Sequence, residues 1–419
     1  MKKNNLIVSI ILFLLCSTIA NAQYTKLPTI PNNTFLVTDF DAIGDGKTLN
    51  TTAIQQALDK AKAEGGRVII PKGVFLCGPI KMYSRTNLEI QKGAVLRLRN
   101  DIDSFPAEKE RYLNFIHVSN VTDIKISGEG TIDGQGEIWW KKFTAKEITY
   151  RRPQMMFIEK AERVEIGGIT YLNPPNTHLS LKNTTDVYIH NITIQAPADS
   201  RNTDGINIST KNCTIENCSI NTGDDNIAIN FGNKNNAVND PECKNIMISN
   251  CAFGYGHGLS IGSYTSGGLK NLNVSNCTFE GTTSAIRIKT ARGRGGLVED
   301  VTYTDIKISN SKWPIFISEY YPKEPATPEA DSTLPINDKT PTYKNFTLKN
   351  ITIANAQDAI KIWGIPESPI QHIQFINVNI AAKKAAQIYN AKNIEFVKSS
   401  IIVDKGDKLL TYNADVKGL

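Results

Sequence analysis

The stretches VEIGGITYL (164–172) and VYIHNITIQ (187–195) decide the fold, because they are copies of a nine-residue pattern that recurs through most of the chain. In each copy, apolar residues alternate around one central small or polar residue. Further copies are CTIENCSIN (213–221), IMISNCAFG (246–254), LNVSNCTFE (272–280), VTYTDIKIS (301–309), FTLKNITIA (346–354), IQFINVNIA (373–381) and IEFVKSSII (394–402). The central positions are Gly168, Asn191, Asn217, Asn250, Asn276, Asp305, Asn350, Asn377 and Lys398. Self-similarity at such intervals predicts an array of stacked structural units.

A short apolar triplet accompanies each unit from residue 179 to residue 362. The triplets are LSL (179–181), INI (206–208), IAI (227–229), LSI (259–261), IRI (286–288), IFI (315–317) and IKI (360–362). Apolar residues at every second position are typical of a strand with one buried face. Since no helical pattern separates the units and the same phase returns in each, we predict an all-β parallel β-helix, with every winding lying on the last.

The stacking has two consequences for side chains. The central asparagines are expected to form a ladder of amides at a bend of each winding. Cys218, Cys251 and Cys277 directly follow ladder asparagines and are expected to stack as buried thiols.

A stack of windings needs covered ends. Residues 51–64, TTAIQQALDKAKAE, predict an amphipathic helix that Asn50 or Thr51 can cap and that Gly65 ends. Its apolar face consists of Ala53, Ile54, Ala57, Leu58 and Ala61. We expect this helix to cover the first winding. Residues 319–342 hold five prolines and no apolar period, and we expect a long surface loop there that forms one wall of a cleft.

The N-terminus has the pattern of a secretory signal peptide. Lys2 and Lys3 precede an apolar run from Leu6 to Ala20, and 20–22 (ANA) follows as a small-x-small cleavage site. The run is shorter than the ~20 residues that a membrane-spanning helix needs. We therefore predict a signal peptide at 1–22, cleaved after Ala22, and a single β-helix domain at 23–419, in a secreted or periplasmic protein.

Composition narrows the function further. The chain is 40% hydrophobic and 21% charged, which is typical of a soluble globular protein and excludes a disordered chain. The net charge of +6 is too small for a dedicated nucleic-acid binder, but it is compatible with a polyanionic substrate. Beyond Cys16, six cysteines remain without a CxxC pair, so we expect buried thiols with at most one or two disulfides.

The repeat phase predicts which polar residues meet. Two residues before the triplets stand Thr177, Asp204, Asp225, His257, Ser284, Trp313 and Asp358. Adjacent strands lie ~4.8 Å apart, so Asp204, Asp225 and His257 are expected in one row on successive windings, with Asp224 beside Asp225. If the isoleucines of IRIK (286–289) point inward, Arg287 and Lys289 point outward beside that row.

Three neighbouring carboxylates repel one another, so at least one should keep its proton near neutral pH while another stays ionised. Glycoside hydrolysis needs such a pair, an acid for the leaving oxygen and a base for water. Arg287 and Lys289 would suit a substrate carboxylate. Taken singly, the aspartates could instead be turn formers or calcium ligands, and His257 a solvated turn residue. His178, one winding earlier, is a possible rim residue.

These residues resemble the signature of a known enzyme family. NTDG (202–205), GDD (223–225), GHG (256–258) and RIK (287–289) are similar to the four signature segments of the polygalacturonases, glycoside hydrolase family twenty-eight, and stand in the same order. The resemblance covers essentially the whole mature chain. It implies a right-handed parallel β-helix and inverting hydrolysis at α-1,4-linked galacturonic acid, with no cofactor and no metal.

The resemblance also implies roles for single residues. Asp224 would be the general acid, and Asp204 and Asp225 would hold and activate the water. His257 would tune the protonation of the acid and help to bind the substrate. Arg287 and Lys289 would bind a galacturonate carboxylate, and Asn202 would contact the sugar. Asn226 departs from the cysteine of many fungal members, so their local disulfide is not expected here.

The residues are compatible with three functions. The leading one is a monomeric, secreted hydrolase of acidic pectic polysaccharide, acting on homogalacturonan or, alternatively, on a rhamnogalacturonan or xylogalacturonan. The second is a calcium-dependent lyase on the same fold, and the third is a non-catalytic carbohydrate-binding or adhesin β-helix. No nucleic-acid partner and no membrane span are expected.

Overall fold

The computed structural model describes residues 25–232 and 242–419. The predicted signal peptide at 1–22 lies outside the described residues. Within these ranges the helices are α1 (Thr51–Glu64) and α2 (Glu137–Thr144), with short 3-10 helices at Val37–Phe40, Ile102–Ser104 and Pro328–Ala330. No helix in the described part of the chain is long and apolar enough to cross a membrane.

The strands of the N-terminal windings are β1 (Thr34–Leu36), β2 (Asp45–Leu49), β3 (Gly66–Ile70), β4 (Gly73–Cys77), β5 (Ile80–Met82), β6 (Thr86–Ile90), β7 (Ala94–Leu98), β8 (Ala107–Glu108), β9 (Arg111–Tyr112), β10 (Ile116–Gly128), β11 (Thr131–Asp133), β12 (Met156–Gly167) and β13 (Thr170–Leu172). Those of the central windings are β14 (Leu179–His190), β15 (Thr193–Gln195), β16 (Ile206–Glu216), β17 (Ser219–Asn221), β18 (Ile227–Ile229), β19 (Cys243–Ser249), β20 (Ala252–Phe253), β21 (Leu259–Gly262), β22 (Leu269–Glu280), β23 (Ile286–Lys289) and β24 (Leu297–Ser309). The last windings hold β25 (Ile315–Ser318), β26 (Thr342–Asp358), β27 (Lys361–Trp363), β28 (Ile370–Lys384), β29 (Ala386–Val397), β30 (Ser400–Val403) and β31 (Leu409–Lys417).

These strands form a parallel β-helix, as the repeat predicts. All except β8 and β9, which pair antiparallel, belong to one continuous sheet of 29 described strands whose ladders are parallel. The triplets align: Leu179 pairs with Ile206, and Ile206 with Ile227. Ile227 pairs with Leu259 in turn. The core is therefore a stack of apolar side chains from the same position of successive windings. The apolar residues of the triplets are at most 1% exposed.

The predicted amide ladder lies at a left-handed bend. All nine central positions have φ between +49° and +79°, a conformation that asparagine tolerates better than other residues with a side chain. Asn276 Nδ2 donates to Asn250 Oδ1 at 2.7 Å, and Asn377 Nδ2 donates to Asn350 Oδ1 at 3.0 Å. The side chain thus stabilises the bend twice, through its backbone preference and through its hydrogen bond to the next winding.

A second ladder, which was not predicted from the sequence, runs five residues upstream of the first. Its members also have positive φ, and they are Asp186, Asn212, Asn245, Asn271, Asp300, Asn345, His372 and Asn393. Asn212 Nδ2 donates to Asp186 Oδ1 at 3.1 Å, and Asn245 Nδ2 donates to Asn212 Oδ1 at 3.0 Å. The signal was present, because an Asn, Asp or His stands at this offset in every copy of the pattern from residue 187 to residue 402.

The cysteines are free and buried, which confirms the interpretation as core thiols. None of the six described cysteines forms a disulfide. The Sγ atoms of Cys218, Cys251 and Cys277 each lie 3.2 Å from the carbonyl oxygen two residues earlier. The column of thiols therefore occupies the position directly after the amide ladder.

The capping helix has its predicted bounds. Helix α1 buries Ile54, Ala57, Leu58 and Ala61 against the first windings. The Asn50 side chain does not cap it; its Oδ1 instead accepts from the Ile43 amide at 2.6 Å and its Nδ2 donates to the Thr48 carbonyl at 2.7 Å. The main chain of Asn50 still accepts the first helical hydrogen bond, from Ile54.

Candidate active site

The turns that enter three successive triplet strands carry the predicted acid row. Asp204 precedes β16, Asp224 and Asp225 precede β18, and His257 precedes β21. The main chain ties these turns together, because the Gly205 amide donates to the Asp225 carbonyl and the His257 amide to the Asp224 carbonyl, both at 2.9 Å. The row predicted from phase is therefore present.

The backbone around His257 and Asp225 is held by a buried asparagine. Asn226 is fully buried; its Nδ2 donates to the Ile220 and Tyr255 carbonyls at 2.9 and 3.0 Å, and its Oδ1 accepts from the Gly258 amide at 2.7 Å. Gly256 has φ +133°, and a Cβ there would lie 2.6 Å from Asn226 Oδ1. Only glycine fits this close approach, so residue 226 braces the turn through an amide rather than a disulfide.

Asp225 is the electrostatic centre of the group. Its Oδ1 accepts from Arg287 Nη1 at 2.8 Å and from Ser260 Oγ at 2.7 Å, and its Oδ2 accepts from Lys289 Nζ at 2.8 Å. Burial opposes ionisation of this side chain, but the charges of Lys289 and Arg287 outweigh it and lower the pKa of Asp225 to about 2. Asp225 is therefore a carboxylate at any pH near neutrality.

Asp204 behaves in the opposite way. Burial, followed by repulsion from Asp224 and Asp225, raises the pKa of Asp204 to about 8. The cationic partners that lower the pKa of Asp225 do not bond to Asp204, whose Oδ2 accepts from Asn207 Nδ2 at 3.4 Å. At neutral pH one carboxyl of the group thus holds a proton while its neighbour is ionised, as the sequence analysis expected of clustered acids.

Asp224 and His257 form the solvent-facing part of the group. His257 Nδ1 lies 3.1 Å from Asp224 Oδ1 and 3.7 Å from Asp225 Oδ1. The Asp224 side chain is 25% exposed and that of His257 is 36% exposed, against 7% for Asp225. Of the two adjacent carboxyls, Asp224 and Asp225, Asp224 is therefore the one that a bound polymer can reach.

Arg287 and Lys289 lie beside the row, as predicted from the inward isoleucines of β23. Ile286 and Ile288 are 1% exposed, and both cations point at Asp225. The ring of Tyr321, from the loop at 319–342, lies against them, with its centroid 5.2 Å from Lys289 Nζ and 5.8 Å from the Arg287 guanidinium carbon. This loop therefore borders the acid row, as expected of a cleft wall.

Asn202 stands on the rim, in a turn with φ +62°. Its Oδ1 accepts from Arg152 Nη2 at 2.9 Å, and Arg152 also donates to the Pro175 and Arg201 carbonyls. Arg152 is 2% exposed and stacks on the Phe143 ring of α2, with 4.0 Å between guanidinium carbon and ring centroid. It forms no ion pair among the described residues, so it orients the turn that presents Asn202.

The rim prediction for His178 is wrong. This side chain is fully buried; its Nδ1 lies 3.0 Å from the Asp204 carbonyl oxygen and its Nε2 lies 3.4 Å from that of Gln195. Burial lowers the pKa of His178 to about 4, so the ring is neutral and cannot charge near neutral pH. His178 supports the main chain of Asp204 from below and does not line the surface.

Two further residues were missed. Ser260 is the middle residue of the LSI triplet and pairs with Arg287, so the repeat phase would have placed it against Asp225. Arg152 comes from the connection before β12, which has no repeat, and no sequence signal identifies it.

A metal ion fits this group poorly. Ligand atoms of Asp224, Asp225 and His257 lie within 4.8 Å of one another. However, both oxygens of Asp225 already accept from cationic side chains, which would repel an added cation. Calcium takes six to eight oxygen ligands, and the two oxygens of Asp224 that remain beside the histidine do not supply them.

A recess of about 1140 Å³ adjoins the row on its N-terminal side. Gln135, Trp140, Asp199 and Ser200 are among the residues that line it. Ser200 connects this recess to the acid group, because its carbonyl accepts from Thr203 Oγ1, which in turn accepts from the Gly223 amide. A parallel β-helix with an open recess, an acid row and adjacent cations has the features of an enzyme that cleaves polysaccharide chains.

Comparison with known proteins agrees with this class. The model of "Glycosyl hydrolases family 28" matches residues 62–400, so the chain belongs to that family and is a glycosidase. A second model, "Rhamnogalacturonase A/epimerase, pectate lyase-like", matches residues 34–89.

Relatives span most of the chain. A "Probable polygalacturonase" of Vitis vinifera is 30% identical over 403 residues, which cover 90% of this chain and 81% of the relative. An "Endo-polygalacturonase" of Pectobacterium carotovorum subsp. carotovorum is 32% identical, covering 81% and 86%. The solved structure of a Yersinia enterocolitica family 28 exopolygalacturonase has the same fold, with a TM-score of 0.78 at 23% identity, covering 92% of this chain and 78% of that one.

Proposed function

We propose that this protein is a polygalacturonase that hydrolyses α-1,4-galacturonosyl linkages of the homogalacturonan part of pectin with inversion. The observation that carries the proposal is the group of Asp204, Asp224 and Asp225 beside Arg287 and Lys289, in which one carboxyl is protonated and another is ionised. The family and the printed names of the relatives support the same substrate.

In the proposed mechanism, Asp224 gives its proton to the glycosidic oxygen as the bond to the anomeric carbon breaks. A water molecule held by Asp204 and Asp225 attacks that carbon from the opposite face and passes a proton to a carboxylate of this pair. His257, 3.1 Å from Asp224, stabilises the carboxylate that remains after proton donation. The sugar leaves with an inverted anomeric centre, and the proton then returns to Asp224.

The proton distribution of the free protein bears directly on these roles. Asp204 holds the proton before substrate binds, because burial and its acidic neighbours raise its pKa to about 8. For Asp224 to act as the acid, this shared proton must reside on Asp224 in the complex. A carboxylate at Asp225 whose pKa is about 2 is a weak base, and a substrate carboxylate that shares its two cations would make Asp225 a stronger base.

Arg287 and Lys289 can bind a substrate carboxylate without leaving Asp225. Arginine has five N–H donors and lysine has three, while each donates one hydrogen bond to Asp225. The remaining donors suit a uronate carboxylate, and a neutral sugar would leave them unpaired. Asn202, held by Arg152 on the rim, is proposed to contact the sugar hydroxyls.

The test of the function is release of reducing ends from polygalacturonate. We expect activity from the mature protein and its loss in Asp224→Asn, with Asp407→Asn, at an exposed position in the last windings, as the matched control. NMR of the first product should show the β-anomer. Activity confined to rhamnogalacturonan or xylogalacturonan would reassign the substrate, and binding without turnover in all cases would favour an adhesin.

The individual roles are separated by two further measurements. An acid variant should retain turnover of an aryl galacturonide with a good leaving group, since that bond needs no protonation. A variant of the water-activating pair should instead be rescued by azide, giving the β-galacturonosyl azide. If Asp204→Asn and not Asp224→Asn shows the first behaviour, the acid is Asp204.

We also propose export and a monomeric state. Residues 1–22 match a signal peptide, and pectin lies outside the cell that degrades it. Expression of the full chain in a bacterium with a secretion system should yield a mature N-terminus at Gln23 by N-terminal sequencing. Size-exclusion chromatography with light scattering should give the mass of one chain. An intact Met1 in the exported fraction, or a mass of two chains, would contradict these proposals.

A further inference from the structure

Three cationic side chains gather on the N-terminal side of the acid row, and we refer to Arg111, Arg151 and Lys182 as the upstream cation group. Arg111 and Arg151 are partners on adjacent windings, with the Tyr112 amide donating to the Arg151 carbonyl at 3.1 Å. Lys182 follows the LSL triplet of the next winding. All three residues have exposed surface, although the surrounding protein reduces the hydration of the charged groups of Arg151 and Lys182.

The group lies in line with the cations of the proposed active site. The residue that directly follows the triplet is Lys182 in one winding and Lys289 in another. These positions are stacked, since Lys182 pairs with Ser209 and Gly262 pairs with Lys289, and Ser209 and Gly262 also directly follow their triplets. Four windings therefore separate Lys182 from Lys289, a distance of ~19 Å at ~4.8 Å per winding. Asp204 lies between them and interacts electrostatically with Arg151. A chain that contacts both cation groups must pass over the acids.

The upstream cation group lacks a full set of counter-charges. None of its three members forms an ion pair with a carboxylate of the described residues, whereas cations such as Lys270 and Arg292 do. Glu159 is the near acid and attracts Lys182, but its Oε1 is also close to His117 Nε2 and Ser119 Oγ, at 3.8 and 3.2 Å.

The three cations of the group repel one another. Reduced hydration, followed by repulsion from Arg151 and Arg111, lowers the pKa of Lys182. Reduced hydration and the charge of Arg111 likewise lower the pKa of Arg151. An anion placed among the three would relieve this repulsion, and a carboxylate is the anion that arginine and lysine side chains jointly favour.

We propose that Arg111, Arg151 and Lys182 form a second carboxylate-binding site, which holds a uronate unit of the same polysaccharide on the opposite side of the acids from Arg287 and Lys289. This inference rests on the proposed function. It assigns a purpose to charges that the hydrolytic mechanism does not use. Because the two cation groups are ~19 Å apart, only a chain of several uronate units can occupy both.

The experiment measures binding to the inactive Asp224→Asn protein by calorimetry at low salt. In that background, the double variant Arg151→Gln/Lys182→Gln should bind polygalacturonate ~10-fold more weakly or worse, with a shallower salt dependence. Its affinity for trigalacturonate, bound at Arg287 and Lys289, should change less than ~2-fold. The single variant Lys182→Arg should keep most of the parent's affinity for polygalacturonate, since it keeps the charge.

The control is Lys307→Gln, which removes an exposed lysine of β24 outside the triplet row. Equal affinities of the double variant and its parent for polygalacturonate would overturn the inference. An equal loss for both ligands would also overturn it, since that result indicates a general effect of net charge. Failure of the wild-type protein to hydrolyse polygalacturonate is a separate outcome that counts against the proposed function instead.

Discussion

Replacing Lys289 with methionine removes one of the two cations that hold Asp225 in its ionised form. Both side chains are buried, with 6% of Lys289 and 7% of Asp225 exposed, and the ion pair is 2.8 Å long. Methionine keeps the apolar length of the side chain, so the change is largely one of charge. Asp225 would then keep its hydrogen bonds from Arg287 and Ser260, with His257 3.7 Å away.

The pKa of Asp225 gives the expected magnitude. It falls from the ordinary 3.8 to about 2, a difference equivalent to about 2 kcal/mol of stability. This contribution is complete above pH 3.8 and is lost as the pH falls through about 2, because the unfolded chain binds the proton more readily. Breaking a buried pair by removing one partner costs ~3–5 kcal/mol, and since Arg287 remains, we expect a loss of ~3 kcal/mol at pH 7.

The assay is urea unfolding followed by circular dichroism at pH 7 and pH 4. Without Lys289, burial raises the pKa of Asp225, so the variant carboxyl takes up a proton as the pH falls. The deficit relative to wild type should therefore shrink from pH 7 to pH 4. Lys307→Met serves as the surface control, and Asp225→Asn with the double variant completes a thermodynamic cycle.

Two results would refute the reasoning. If Lys289→Met unfolds at the wild-type urea concentration, the pair does not stabilise the fold. If the effects of Lys289→Met and Asp225→Asn add without coupling, the lysine does not act through Asp225. A coupling free energy of ~2 kcal/mol is expected.

Three other predictions concern the acid row, the ladder and the thiols. Asp204→Asn should raise the free energy of unfolding at pH 9 by up to about 6 kcal/mol, because the pKa of this carboxyl is about 8 in the folded protein against an ordinary value of 3.8. The gain should disappear below pH 4, and an equal effect of the substitution at both pH values would contradict this. Asn350→Ala should lower the free energy of unfolding by ~2 kcal/mol, because it removes the amide hydrogen bonds and strains the backbone at φ +53°. Asn350→Gly should lower it by only ~1 kcal/mol, since glycine adopts this φ without strain. The reverse order of the urea midpoints would rule out the backbone explanation. A thiol reagent should label the six buried cysteines only after denaturation and without prior reduction, and mass spectrometry showing a disulfide would disprove the free-thiol core.

The alignment of the windings was predictable from the sequence because it depends on periodicity alone. The triplets at 206–208 and 227–229 carry their phase in their apolar residues, and the observed pairing of Ile206 with Ile227 follows from it. The meeting of Asp204, Asp225 and His257 is a consequence of the same phase. The capping helix was equally predictable, since its apolar face and its flanking glycine are local sequence signals.

The partners of individual side chains were harder to predict from the sequence, because they depend on distances that the repeat phase does not specify. The repeat predicted that Arg287 and Lys289 lie beside the acids, but not that both donate to Asp225. His178 stands next to the row in sequence, yet its ring turns inward to two carbonyls. Arg152 reaches Asn202 from a connection without repeats, so only the folded structure brings them together.

The loop at 319–342 has a consequence for how such proteins diversify. It is inserted between β25 and β26, yet Ile286 still pairs with Ile315 and Val301 with Phe346 on either side of it. Because main-chain bonds to the neighbouring windings hold each strand, an insertion at a corner is absorbed locally and the chemistry stays aligned. A longer or shorter loop at this place can therefore change which substrates fit, while the strands keep the reacting groups in position.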